Sequence, residues 1–203
     1  MKTIVFIDGE NFRHKLAEVL KAHKRIKNSQ ELKKFDVRGL VSELIPEYAD
    51  PEIGYFGAKV AVLGKQRSTR QKTTAIIQQK RAWNSILKEQ GIHYFEVGML
   101  RLRDSNQKDG SEYLVEKGVD VGMAVDMLVE ALSRGTERIV FVSSDTDILP
   151  AVMALKSAGI DTTYIAHDTF IIPSLAYFST RTRVFSDTQI IKFLEYKNTK
   201  KVV

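Results

Sequence analysis

Residues 138–148, RIVFVSSDTDI, join a β-branched apolar run to a polar turn that carries two aspartates. The N-terminal stretch 3–11, TIVFIDGEN, is built the same way: a run that reads as a buried strand, then Asp8 and a glycine turn. Runs with the same strand character recur at 53–63, 92–97 and 160–165. Helix-length periodic segments fall between and after them, at 12–25, 36–47, 71–89, 120–133, 147–157 and 188–196. Strands alternating with helices predict an α/β fold of three layers, α/β/α, with helices on both faces of a mostly parallel central sheet. In the segment 120–133, the stripe Val121, Ala124, Val125, Leu128 and Leu132 predicts the side turned to the core, and Gly135 the stop. Residues 64–70 and 101–118 are rich in small polar and charged residues and read as loops, the second long enough to suspect a functional segment. No repeat or linker interrupts the chain. Residues 1–203 therefore read as one domain with a helical C-terminal extension and a patternless tail from Lys197.

Composition narrows the chemistry. Hydrophobic residues make up 43% and charged residues 28%, with 12 Gly and 4 Pro, which excludes disordered and collagen-like classes. There is no cysteine, so disulfides, thiolate metal sites and thiol catalysis are excluded, and a metal must take oxygen or imidazole ligands. That directs the expectation to Mg2+ or Mn2+. No window is long and apolar enough to span a bilayer, and the first apolar run meets Asp8 and Glu10 rather than a cleavage site, so a cytoplasmic protein with no membrane partner is expected. The net charge of +6 is modest, but residues 65–81 carry six positive charges and no acid, and residues 21–34 carry six against one.

The acidic residues fall in places where such a sheet puts chemistry. Ligands of open parallel sheets bind beyond the carboxyl ends of the strands, which is where Asp8, Asp145 and Asp147 stand. Asp120, at the start of the segment 120–133, offers a third contribution. Three of these acids have a structural alternative: Asp8 as a turn or helix cap, Asp147 as N-cap of a helix beginning near Ile148 with Pro150 in its first turn, Asp120 as the start of its helix. Two strands that end in acids at one edge are harder to explain as caps, because converging carboxylates repel unless a cation lies among them. Magnesium suits such a set, being satisfied by a few carboxylates, water and phosphate oxygens. Asp126 lies six residues beyond Asp120, about 120° round a helix, and ranks below the others. Asn11 is placed to hold a water or phosphate oxygen, or to cap a helix. The cluster points to metal-assisted attack of water on a phosphodiester, with Lys65, Arg67, Arg70, Lys72, Lys80, Arg81, Arg101 and Arg103 available to guide a polyanion.

These residues together resemble the NYN domain group of PIN-like nucleases, which includes bacterial LabA-like proteins. The pattern Asp-Gly-x-Asn is matched by Asp8, Gly9 and Asn11; Glu-Lys-Gly-x-Asp by Glu116, Lys117, Gly118 and Asp120, with Asp126 following. The Ser-Gly-Asp-Ser-Asp-Phe-like segment appears as Ser143 to Ile148, and the register holds over residues 3–166. Two positions depart from it: Ser144 replaces the glycine and Ile148 the aromatic. The resemblance implies a PIN-like fold and Mg2+- or Mn2+-dependent cleavage of RNA, with Asp8, Asp120, Asp145 and Asp147 as the metal-binding acids and Asn11 beside them. An RNA-binding regulatory module without turnover is the alternative, because some relatives are assigned regulatory roles. A third reading is another phosphoryl-transfer enzyme of the haloacid-dehalogenase or toprim kind, although Glu10 stands where the former has its second Asp. A homodimer through an apolar helix face is a further expectation, with no stripe distinguishable from core.

The remaining candidates are weaker. His14, His23, His93 and His167 lack close metal spacing; His93 reads as a core histidine, and for His167, after the strand 160–165, a place bordering the cleft is the less favoured reading. Tyr55, Phe56, Trp83, Tyr94 and Phe95 read as core, with an exposed Trp83 able to stack on a base. Ser143 and Ser144 have no histidine partner for acyl transfer, and no Gly-rich dinucleotide fingerprint is present.

Overall fold

The first strand, β1 (Thr3–Asp8), is buried along its whole length, and its alternation serves two cores at once. Val5 and Ile7 point into one, Ile4 and Phe6 into the other. A computed structural model describes residues 2–64, 66–104 and 112–194. Within it β1 lies mid-sheet, followed in chain order by α1 (Gly9–Ala22), α2 (Val37–Leu44), β2 (Glu52–Lys59), α3 (Arg67–Glu89), β3 (His93–Asp104), β4 (Glu112–Lys117), α4 (Val119–Ser133), β5 (Arg138–Val142), α5 (Leu149–Ser157), β6 (Asp161–His167), α6 (Pro173–Phe178), β7 (Arg181–Phe185) and α7 (Asp187–Lys192). The sheet order is β4-β3-β2-β1-β5-β6-β7, parallel throughout except for β4. Helices α1, α2, α3 and α7 cover one face, and α4, α5 and α6 the other. The expected three-layer α/β/α arrangement is the one observed. No helix among the described residues is long and apolar enough to cross a membrane.

Three expectations are corrected. Residues 101–104 and 112–117 are strand, not loop: β3 runs on to Asp104 and pairs antiparallel with β4, Arg101 opposite Val115 and Arg103 opposite Tyr113. Charged residues at alternate positions of an exposed ribbon hid the two-residue period. Residues 105–111 lie outside the described part. The edge strand β7, RTRVF, went unseen for the same reason, its Arg181 and Arg183 being paired with Asp161 and Glu47. On the second face, α4 is rotated from the expected side: Val119, Met123, Met127 and Ala131 pack on the sheet, Ala124 and Leu128 of the expected stripe are partly buried against the same core, and Val121 (62% exposed), Val125, Val129 and Leu132 face outward. The helix carries two apolar stripes, and spacing alone does not say which the sheet takes.

Met127 is fully buried and Leu132 is 59% exposed. Met127→Ala is therefore expected to cost about 2–5 kcal/mol in urea unfolding, and Leu132→Ala no more than about 0.5 kcal/mol. A larger loss for Leu132→Ala than for Met127→Ala would mean that the helix faces the other way.

Candidate metal and nucleic-acid site

The order of the sheet reverses between β1 and β5, which opens a crevice at their carboxyl ends. The parallel register Ile7 against Val142 brings Asp8 beside Ser143. Asp8 is only 2% exposed. Its carboxylate accepts from the Asn11 side-chain Nδ2 at 2.6 Å, the Asn11 backbone N at 3.3 Å and the Ser143 hydroxyl at 3.1 Å. The cap reading of Asp8 is thus correct as far as it goes, since it caps α1, and the other oxygen serves as the anchor for two site side chains. Gly9 is required because a Cβ there would lie 2.2 Å from Tyr55 Cε1 and 2.4 Å from the Phe56 carbonyl oxygen. Tyr55 donates its hydroxyl to the Gly9 carbonyl at 2.5 Å, holding the turn against β2. Asn11 itself lies in the first turn of α1 rather than at its cap.

The other acids arrive from separate elements. Asp145 is anchored by its own N–H, which donates to Ser143 Oγ at 3.0 Å, and its Oδ1 accepts from the Asp147 N–H at 2.9 Å. Asp147 is exposed and does not cap α5, which starts with Pro150 in its first turn and no side-chain cap. Asp120 does not cap α4 either: that position is Gly118, at φ 82°, a left-handed turn that glycine takes without strain. One carboxylate oxygen each from Asp120, Asp145 and Asp147 lies within 4.8 Å of the others. Asp126 stands away from this group, its neighbouring charges being Arg134 and Glu130.

The electrostatics are those of uncompensated negative charge. Burial, reinforced by the charge of Asp120, pushes Asp8 up to about 6 against the lowering effect of its hydrogen bonds. Asp120 is raised by burial and then by Asp145 and Asp147. Glu116, at the end of β4, is pushed up to about 7 by burial, then by Glu10, Asp8 and Asp120, with Lys80 opposing. Glu116 was not singled out from sequence, although it sits in the Glu-Lys-Gly-x-Asp motif; the segment read as loop and gave it no position. A set of hard oxygen donors that resist ionising together fits a divalent cation, and Asp120, Asp145 and Asp147 could hold one.

Two hollows flank the acids. On the α3 side a cleft of about 540 Å³ is lined by Arg13, Lys72 and Lys80 with Tyr94, Tyr113 and Glu116. Arg67 and Arg70 line a shallower groove farther along α3, Arg81 another, and Arg101 and Arg103 are exposed on β3; Lys65 lies outside the described residues. On the other side a pocket of about 220 Å³ is bounded by Asn11, Ser143, Ser144 and His167. His167 thus does border the crevice, held by Asp187 Oδ1 at 2.9 Å and Thr169 Oγ1 at 2.8 Å. Trp83 is buried and cannot stack on a base, whereas Phe95 and His93, expected in the core, are exposed. Their strand lies near the sheet margin, where one face is not fully covered. Ile148 is fully buried, so its departure from the aromatic pattern is a matter of packing.

The family model described as the NYN domain matches residues 2–178, and the chain belongs to that family, consistent with the PIN-like and LabA-like superfamily. The family is consistent with the nuclease superfamily, and its domains typically act on nucleic acids. No curated protein matches the chain. Among solved structures it is similar to a protein of unknown function from Vibrio parahaemolyticus RIMD 2210633, at 13% identity and a TM-score of 0.48, covering 91% of this chain and 92% of that one.

The raised acids set the pH dependence of the metal-free protein. Because Asp8 ionises near 3.8 when unfolded and near 6 when folded, the unfolded chain loses its proton first and stability falls as pH rises across that window. In EDTA, Asp8→Asn is expected to remove this fall, melting a few degrees above the wild type at about pH 7.5 and level with it at about pH 4. Scanning fluorimetry at the two pH values checks it; a variant that melts lower at both would show that Asp8 is a net structural support.

Proposed function

We propose that this protein is a divalent-metal-dependent ribonuclease that hydrolyses RNA phosphodiester bonds in the crevice between β1 and β5. The observation that carries the reading is the meeting of Asp120, Asp145 and Asp147, from two distant stretches of chain, within 4.8 Å, beside an almost fully buried Asp8. Structural carboxylates are normally paired with cations or caps. Asp8 and Asp145 do cap, but among the described residues none of the four is paired with a cation, and converging like charges lower stability unless a ligand offsets them. Asp8, Asp120, Asp145 and Asp147 would hold Mg2+ or Mn2+, which when bound would lower the pKa of water and neutralise charge on the phosphate.

The chain's own part is positioning. Asn11 and Ser143 fix the Asp8 carboxylate, and Ser143 also takes the Asp145 N–H, so one hydroxyl sets the relative placement of two acids. Arg13, Lys72 and Lys80 supply positive charge along the α3 cleft, where a polyanion would otherwise be repelled by Glu10 and Glu116.

Asp120→Asn and Asp145→Asn are expected to lose Mn2+-dependent cleavage of labelled RNA by about a hundredfold or more, beyond the roughly 10–100-fold typical of residues that only orient ligands. Asp126→Asn, which lies away from the cluster, keeps the wild-type rate. Equal cleavage in all three variants overturns the assignment. Salt-sensitive RNA binding by the wild type, with no cleavage in either metal, supports the regulatory module instead.

A further inference from the structure

Apart from Asn11 and Ser143, the pocket on the α1 side of the acids is built from residues that the hydrolytic chemistry does not use. Its floor is apolar: Phe12, Val142, Ile165 and Phe185 are each buried to within 6% exposure. Phe170, 52% exposed, stands at its margin in the loop after β6, where its backbone N–H donates to the His167 carbonyl at 2.9 Å. His167 forms a rigid wall, because both ring nitrogens are engaged, one by Asp187 and one by Thr169, and its ring meets Phe185 edge-on at 5.3 Å.

The polar margin faces the acids. Asn11 and Ser143 belong both to the pocket wall and to the hydrogen bonds that hold Asp8. With Nδ2 committed to Asp8, Asn11 has its Oδ1 left to act as an acceptor. Ser144, exposed at the same margin, adds a hydroxyl where the family pattern has glycine. The outer rim is charged, with Lys15 and Glu18 paired to each other at 3.1 Å and His14 also lining it. An aromatic margin, an apolar floor and a few fixed polar atoms within that rim are the elements that recognise a planar heteroaromatic ring. The volume of about 220 Å³ lies below the roughly 300–1,000 Å³ of pockets for larger ligands, so the occupant is one ring system.

We infer that this pocket receives the nucleobase of the nucleotide flanking the phosphate at the acidic cluster, with Phe170 as its stacking surface. The inference rests on the ribonuclease reading and goes beyond it by assigning the pocket that holds a base. A base can enter only if it is free of its stack and its pairing partner, so the substrate is single-stranded or looped RNA rather than duplex. Ser144 makes the pocket of this chain more polar than that of a relative with glycine there, and so bears on which base is preferred.

The test uses the full chain, a short single-stranded RNA carrying 2-aminopurine, the same sequence as a duplex, and free adenosine monophosphate as competitor. Binding is measured by anisotropy and by 2-aminopurine emission in EDTA and again with Mn2+, with cleavage followed separately. The expected result is quenching on wild-type binding to the single strand, weak duplex binding, and about tenfold weaker single-strand binding without quenching for Phe170→Ala. Phe170 is half exposed, so this variant should keep the wild-type melting temperature and Mn2+ affinity. Competition by the mononucleotide supports recognition of the base itself, and its absence together with unchanged quenching overturns it. Wild-type affinity and quenching in Phe170→Ala, or equal affinity for duplex, overturns the pocket assignment even where cleavage stands. Quenching that persists in a protein that cleaves nothing supports the pocket and sinks the ribonuclease reading.

Discussion

In the register that sets Phe6 against Phe141 and Ile7 against Val142, β1 and β5 run side by side and end together. Their chains then leave on opposite faces of the sheet, β1 into α1 and β5 toward α5. The crevice, the proximity of Asp8 to Ser143 and the double use of the Ser143 hydroxyl all follow from that one pairing. A slip of one residue would turn every side chain of one strand to the wrong core and take Asp8 away from its partner. Burial of both strands on both faces makes such a slip prohibitive, so the most apolar part of the molecule is what aligns its most polar part.

That alignment is unfavourable locally. Asp8 is held above its ordinary range by burial and Asp120 by burial and its acidic neighbours, while Glu116 adds a further carboxylate nearby. The hydrogen bonds from Asn11 and Ser143 reduce the strain on Asp8 without removing it. A fold selected for stability alone would have no use for this arrangement, which accords with the proposed cation site better than with a purely supporting role. Local capping remains part of their role: Asp8 caps α1 and Asp145 caps the short turn before α5. The two roles are compatible because each carboxylate has two oxygens.

The hollows on either side of the acids differ in kind. The α3 cleft is wide and mixes cations with aromatic rings, as suits a backbone that must be guided. The α1 pocket is smaller, with an apolar floor and rigid walls, as suits a single planar group. The helix α3 can serve as a charged wall because few of its side chains are buried, Trp83 and Leu87 among them, which leaves its basic residues toward solvent.

Much of this was decided by the chain read alone. The strand end at Asp8, the strand that stops short of Asp145, the helix after Gly118 and the parallel α/β class follow from local pattern, because buried strands and helix starts are written in consecutive residues. Which stripe of α4 meets the sheet was not legible, since Met123 and Met127 are no more apolar than Val121 and Val125 and only packing chooses between them. The ribbon of β3 and β4 was equally hidden, its charges masking a strand that exists because a neighbour pairs with it. Glu116 and the pocket walled by His167 belong to tertiary structure for the same reason: they are made by residues far apart in sequence, and no local pattern records who will stand opposite.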